Sequence, residues 1–142
     1  MRWLLVLAWQ KRAKQLLPQA RRTDIFGAML LASELFRNAP NYQRKVVVIY
    51  SDMRHVNREL DMETSTTIRF DIALAKAERQ KLIPDLKGVE VYVLGADAAG
   101  WRMLQWESLK HFWAMYFQKA EAEVRKYSVL RELPELTNRK GH

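Results

Sequence analysis

The sequence predicts a three-layer α/β fold, in which a parallel β-sheet has helices on both faces. A run of four β-branched residues at 46–49 is apolar on both sides, which is typical of a strand inside a parallel sheet. Segments with helical periodicity alternate with such strands along the chain. Among the 142 residues there are five Gly and four Pro, too few for a β-sandwich built on tight turns.

The first 37 residues are predicted to form two helices. Apolar residues at three- and four-residue spacing indicate a helix over 2–17, and a proline follows it. A basic loop comes next, in which Thr23 or Asp24 can cap a second helix over 25–37. The apolar run at 3–9 (WLLVLAW) is too short to span a bilayer, so no membrane segment is expected.

The rest of the chain alternates between strands and helices. The order is strand, helix, strand, helix, with bounds of 45–50 (KVVVIY), about 66–83, 89–94 (VEVYVL) and 102–126. Because parallel strands joined by helices make right-handed crossovers, the expected arrangement is Rossmann-like. Residues 1–142 are expected to form a single domain, with a flexible tail over 128–142.

The predicted sheet is incomplete. Two parallel strands with helices on both sides are an unstable unit, and the strand at 45–50 has the composition of a strand with neighbours on both edges. Two explanations stay open. Either a further strand escapes the sequence patterns, for which 3–9 is the best candidate, or a partner chain supplies one by dimerisation or strand exchange.

Composition excludes several kinds of site. The chain has no cysteine, which rules out disulfides, thiolate zinc sites and cysteine nucleophiles, and which fits a reducing compartment such as the cytoplasm. It contains no Walker A, Gly-x-Gly-x-x-Gly or Gly-x-Ser-x-Gly motif, and no pattern that joins a nucleophile to a base and an orienting acid. The expectation is a protein that is not an enzyme.

Positive charge is concentrated in the first part of the sequence. The net charge is +8, and residues 1–60 carry 11 basic against 4 acidic residues. Such an excess suits either nucleic acid or an acidic protein partner. As a nucleic-acid-associated α/β protein, the chain would use a basic strip formed by Arg2, Lys11, Arg12, Lys14, Arg21 and Arg22. No helix-turn-helix, zinc-finger or RNA-binding aromatic signature accompanies this strip.

Oxygen-bearing side chains are predicted to gather at the carboxyl ends of the strands, where open α/β sheets bind ligands. Asp52 and Asp97 each follow a strand, and Thr23 and Asp24 precede the helix that leads into the first strand. A hydroxyl with several carboxylates and no thiol suits Mg²⁺. The alternative is structural, with Thr23 or Asp24 capping a helix and Asp52 starting a turn. His55, in the same polar loop as Asp52, is expected to be solvated.

Two segments resemble the second half of a von Willebrand factor A (vWA) domain. They are 23–30 (TDIFGAML) and 46–53 (VVVIYSDM), and the order of elements over about 2–126 agrees with that family. The resemblance implies a non-enzymatic protein–protein interaction module. It also implies that Thr23 and Asp52 belong to a metal-ion-dependent adhesion site, where Mg²⁺ completes its coordination with a partner's carboxylate.

The sequence departs from the family at the start of the domain. A vWA domain begins with a strand that ends in Asp-x-Ser-x-Ser and supplies most of the metal contacts, and this sequence contains no such motif. The resemblance is therefore to a C-terminal portion, with a degenerate site that binds Mg²⁺ weakly or not at all in the isolated chain. Asp24 and Asp97 are weaker candidate ligands. Arg21, Arg22 and Arg54 beside the site would favour an acidic partner, and self-association as a homo-oligomer, such as a homodimer, would complete the sheet.

Overall fold

The structure, a computed structural model, describes residues 23–41, 43–56, 60–62 and 69–136. These residues form an α/β fold with three helices and three strands. In chain order the elements are α1 (Ile25–Arg37), β1 (Lys45–Tyr50), α2 (Phe70–Arg79), β2 (Val89–Leu94), α3 (Met103–Lys119) and β3 (Glu123–Ser128). The helix predicted over 2–17 and the alternative strand at 3–9 lie outside the described residues.

The sheet is parallel throughout, with the strand order β1-β2-β3. Lys45 lies opposite Val89 and Tyr50 opposite Leu94, so β1 and β2 are paired along their whole length. The bounds predicted for these two strands are confirmed, as are those of α1. Because helices α2 and α3 connect successive strands, each connection is a β-α-β crossover.

The third strand corrects the prediction of a long final helix. A helix over 102–126 is wrong beyond Lys119, because Glu121 takes a positive φ of 57° and the chain leaves the helix there. The amide of Ala122 donates to the carbonyl of Phe117 at 3.0 Å, which closes the helix end. Strand β3 (EVRKYS) then begins, and its charged residues resemble those of a helix surface, which is why the sequence pattern did not reveal it.

Helix α2 is also shorter than predicted. It ends at Arg79 rather than near residue 83, and Lys81 has a positive φ of 57°, which no α-helix accommodates. Its predicted start near residue 66 lies outside the described residues.

The main core lies on one face of the sheet. Alternate residues of β2 (Val89, Val91 and Val93) are at most 1% exposed and pack against the inner sides of the three helices. The largest side chains of this core come from α3, namely Leu109, Phe112, Trp113, Tyr116 and Phe117. Each buried side chain of this size contributes about 1.5–3 kcal/mol to stability. The described helices therefore cover the face of the sheet to which Val91 belongs.

The opposite face carries the intervening residues of β2. Glu90, Tyr92 and Leu94 are also buried, at no more than 8% exposure. Glu90 forms ion pairs with Arg44 and with Arg125, so one carboxylate joins the chain before β1 to β3. The hydrogen bond from Arg44 lowers the pKa of Glu90 against the opposing effect of burial.

The segment after β3 runs back along the sheet. Gly95 donates its amide to the carbonyl of Leu130 at 3.0 Å, and the Arg44 guanidinium donates to the carbonyl of Leu136 at 3.4 Å. The flexibility expected over 128–142 stays a prediction. In the part of the chain that the structure covers, no helix combines the length and the hydrophobicity needed to cross a bilayer.

The two strands that the sequence predicted differ in burial. All six residues of β2 are buried, whereas five of the six residues of β1 are half-buried and Tyr50 is 58% exposed. Within the described ranges β1 pairs with β2 and with no other strand. In the part of the chain that the structure covers, the edge of β1 away from β2 therefore has no strand beside it.

Candidate functional site

The carboxyl end of the sheet brings together the loop after β1 and the start of α1. Val56 donates its amide to the carbonyl of Thr23 at 3.1 Å, and Ile25 donates its amide to Nδ1 of His55 at 3.1 Å. The loop that carries Asp52 is thus joined to the segment that carries Thr23 and Asp24. The sequence predicted that these two segments meet at one end of the sheet, and the hydrogen bonds show this contact.

Asp24 caps helix α1. Its Oδ1 accepts a hydrogen bond of 2.9 Å from the amide of Gly27 and so satisfies one of the free N–H groups at the helix start. A Cβ atom on Gly27 would lie 2.3 Å from the other carboxylate oxygen, Oδ2. The glycine therefore leaves room for the capping carboxylate, and this is the structural alternative that the sequence had left open.

Asp52 and Asp97 both fold back on their own loops. Asp52 Oδ1 accepts a hydrogen bond of 3.0 Å from the amide of Arg54, and Asp97 Oδ1 accepts one of 3.0 Å from the amide of Ala99. Both contacts are Asx turns, which fix the two loops at the carboxyl ends of β1 and β2. The side chain of Asp52 is 43% exposed, so its carboxylate also faces solvent.

Arg54 connects the two loops. Its guanidinium donates to the carbonyl of Ala99 at 2.7 Å, lies 4.4 Å from the ring centroid of Trp101 and sits 3.8 Å from Oδ2 of Asp52. The Arg54 side chain is 14% exposed, and in the ranges that the structure describes its buried Nε has no hydrogen-bond partner. The guanidinium thus supplies positive charge directly beside Asp52. Its predicted contact with an acidic partner stays a prediction, and Arg21 and Arg22 lie outside the described residues.

The candidate carboxylates do not by themselves form a magnesium site. In the ranges that the structure covers, no three side chains of Asp, Glu or His are close enough together to hold a metal ion. Asp24, Asp52 and Asp97 each have one oxygen engaged by a backbone amide. Binding of Mg²⁺ at this end of the sheet therefore requires ligands beyond these three carboxylates.

His55 is buried, and the expectation of a solvated loop histidine is wrong. Its side chain is 0% exposed, and its ring lies 4.4 Å from the ring of Phe26. Because Nδ1 accepts the hydrogen bond from Ile25, the proton of the neutral ring is on Nε2, which is buried and has no hydrogen-bond partner among the described residues. Burial lowers the pKa of His55, and the nearby Asp24 carboxylate opposes this shift.

Two methionines in the sequence could have indicated that the loop containing His55 is buried. Met53 and Met62 flank His55 in a polar stretch, and both are 0% exposed. The carbonyl of Met53 accepts a hydrogen bond of 2.8 Å from the indole of Trp113, and the amide of Met62 donates to the carbonyl of His55 at 2.9 Å. Apolar residues inside a charged loop thus indicate that the loop turns into the core.

Compared with protein-family models, with curated proteins and with solved structures, the chain matches none.

We predict that Asp24 and Gly27 are energetically coupled. In the native chain, Gly27→Ala increases helix propensity by about 1 kcal/mol. The new methyl group also displaces the Asp24 carboxylate from the helix start, which costs about 1 kcal/mol. The free energy of unfolding therefore changes little or falls. In an Asp24→Ala background the same change stabilises the protein by about 1 kcal/mol. Urea denaturation of the four proteins measures this coupling. Equal effects of Gly27→Ala in both backgrounds would contradict the capping role of Asp24.

We predict that acid destabilises the fold through His55. The folded chain disfavours protonation of this ring, so the unfolded state binds the extra proton and the free energy of unfolding falls as pH drops below about 6.5. The loss approaches about 1.4 kcal/mol per pH unit for one proton. His55→Asn keeps an acceptor near Nδ1 and removes the titration, so its stability should be flatter between pH 7 and 5.

The matched control is His111→Asn. His111 is exposed beside Phe70, with ring centroids 4.3 Å apart, and its removal should leave the pH dependence of the native chain in place. Denaturation curves at several pH values compare the three proteins. If native chain and His55→Asn lose stability in parallel over this range, the burial of His55 does not govern the response.

Proposed function

We propose that this chain is a non-enzymatic protein–protein interaction module of vWA type, which associates through the edge of β1 that faces away from β2 and carries a degenerate magnesium site. The observation that supports the proposal most strongly is that β1 has the composition of an inner strand but is paired on one edge in the described residues. Its sequence, KVVVIY, suits a strand with two neighbours, yet in the described residues it has one.

The physical drive for association comes from both the backbone and the side chains. An unpaired edge presents N–H and C=O groups that another strand can satisfy. Four consecutive apolar residues, half-buried in the chain, would be removed from water by the same contact. A second copy of this chain is the partner we favour, because symmetric pairing of equal edges is the simplest way to cover both.

The vWA assignment is supported by the order of elements and by the loops that meet. Strands β1, β2 and β3 are parallel and follow one another in space, with helices between them. The Thr23 segment lies against the loop that begins with Ser51 and Asp52, as the resemblance requires. Under this proposal the layering is Rossmann-like, and the second copy continues the sheet beyond β1.

Metal binding is expected to be weak because of Arg54. The guanidinium lies 3.8 Å from Asp52 Oδ2 and so competes with any cation for this carboxylate. Mg²⁺ prefers a complete octahedral set of oxygen ligands, and Thr23 and Asp52 would contribute two of them. A carboxylate from the partner would supply a further ligand and make metal binding dependent on association.

We predict that Val48→Lys weakens self-association. Val48 is half-buried in the middle of β1, and a charge there would oppose burial of the edge. The native chain should have the mass of a dimer or larger assembly by light scattering coupled to gel filtration, and Val48→Lys should be a monomer with unchanged circular dichroism. Val124→Lys, on the other outer strand where Val124 is 39% exposed, is the matched control and should still associate. A monomeric native chain would refute the proposed self-association.

We predict that Arg54→Gln tightens magnesium binding. Removal of the guanidinium takes away the cation that the described residues place beside Asp52, so the affinity for Mg²⁺ should rise by about tenfold in calorimetric titration. Asp52→Ala should abolish the heat in either background. Arg102→Gln, an exposed residue at the start of α3, controls for the change in net charge. The degenerate site is disproved if Asp52→Ala gives the same heats as the native chain.

A further inference from the structure

A polar cavity lies at the opposite end of the sheet from the loops that contain Asp52. Its volume is about 290 Å³, and it is bounded by the last turns of α1 and by the segments at the start of β1 and β2. Three cationic side chains line it, those of Arg37, Lys45 and Lys87, together with Asn41 and a single carboxylate, Asp85. The lining is thus strongly positive over a small volume.

The charges in this cavity are weakly compensated. Within the described residues, neither Lys45 nor Lys87 has a carboxylate oxygen within 4.0 Å. Arg37 pairs with Glu34 at 3.3 Å, but both side chains are more than 60% exposed, so water screens this pair and it constrains the guanidinium little. Asp85 Oδ1 already accepts the amide of Lys87. As far as the described residues go, the cavity therefore has more positive charge than its carboxylates compensate.

The walls of the cavity are held in place by regular structure. Lys45 begins β1 and lies directly opposite Val89 in the register with β2. The hydroxyl of Ser33, a residue 7% exposed on α1, donates to the carbonyl of Asp85 at 2.9 Å and fixes the turn before β2 against the helix. A ligand would thus meet cationic groups whose backbones are already positioned, which reduces the entropic cost of binding.

We propose that this cavity binds a small ligand with a phosphate or diphosphate group. An arginine matches phosphate oxygens with two parallel hydrogen bonds, and lysines add point charges, so Arg37, Lys45 and Lys87 together suit a multiply charged anion. The Asn41 amide can donate to a further oxygen. A volume near the lower end of the range for ligand pockets favours a small phosphate ester over a polymer. The site is separate from β1 edge pairing and does not depend on it.

The test is calorimetric titration of the full chain with pyrophosphate at low ionic strength. The native chain should bind it, and the double variant Lys45→Gln/Lys87→Gln should bind at least about tenfold more weakly, since each lost charged hydrogen bond costs roughly that factor. The matched control is Arg79→Gln/Lys81→Gln, which removes the same two charges from exposed positions on and after α2. It should bind within about twofold of the native chain. Circular dichroism verifies that both variants are folded.

Three outcomes would overturn the proposal. They are the absence of binding to the native chain at low salt, equal weakening by both double variants, and binding of a single-stranded oligonucleotide without any binding of pyrophosphate. The last result would assign the positive charge to nucleic acid rather than to a small phosphate ligand, because a polymer gains from charge spread over the surface.

Discussion

Hydrogen bonding along the two edges of β1 is the constraint on which the rest of the structure depends. The edge toward β2 is fully paired from Lys45 to Tyr50 and positions the loops at both ends of the sheet. The edge away from β2 has no strand beside it in the described residues. Because parallel sheets are normally covered on both faces and paired on both sides of their apolar strands, this edge is the feature that most needs a partner. The proposed association follows from that requirement and not from any catalytic group.

The loop after β1 is held to the core by contacts that also determine its chemistry. Trp113 donates a hydrogen bond to the carbonyl of Met53, and His55 accepts one from the first amide of α1, so the loop is joined both to α3 and to the start of α1. Arg54 lies between this loop and the one after β2 and places its guanidinium 3.8 Å from Asp52 Oδ2. The Arg54 guanidinium thus occupies the position beside Asp52 that a metal ion would need. Under the proposed vWA assignment, this contact explains why the ion site would be degenerate. The phosphate cavity lies at the other end of the strands, so the two proposals concern separate surfaces.

Sequence patterns revealed the elements that have strong local signals. The apolar run KVVVIY and the alternation of VEVYVL have the bounds that the structure gives to β1 and β2. Strand β3 was missed because EVRKYS is a polar strand at the side of the sheet, and its pairing with β2 depends on residues far along the chain. His55 was judged from its charged neighbours, whereas its burial depends on contacts with Phe26 and Ile25, about 30 residues away. The helix cap at Asp24 and the turn at Asp52 follow from local chemistry and could be predicted from the sequence. The position of Arg54 between two loops could not be predicted, because it depends on how β1 and β2 are placed side by side.

Hydrogen exchange of the β1 amides at different protein concentrations shows whether a second chain covers the outer edge of this strand. Amides in 45–50 should exchange more slowly as the concentration rises, because a second chain covers that edge, while amides in 89–94 should be equally protected throughout. The two strands thus serve as each other's control in a single experiment. Exchange of the β1 amides that does not change with concentration would contradict association through this edge.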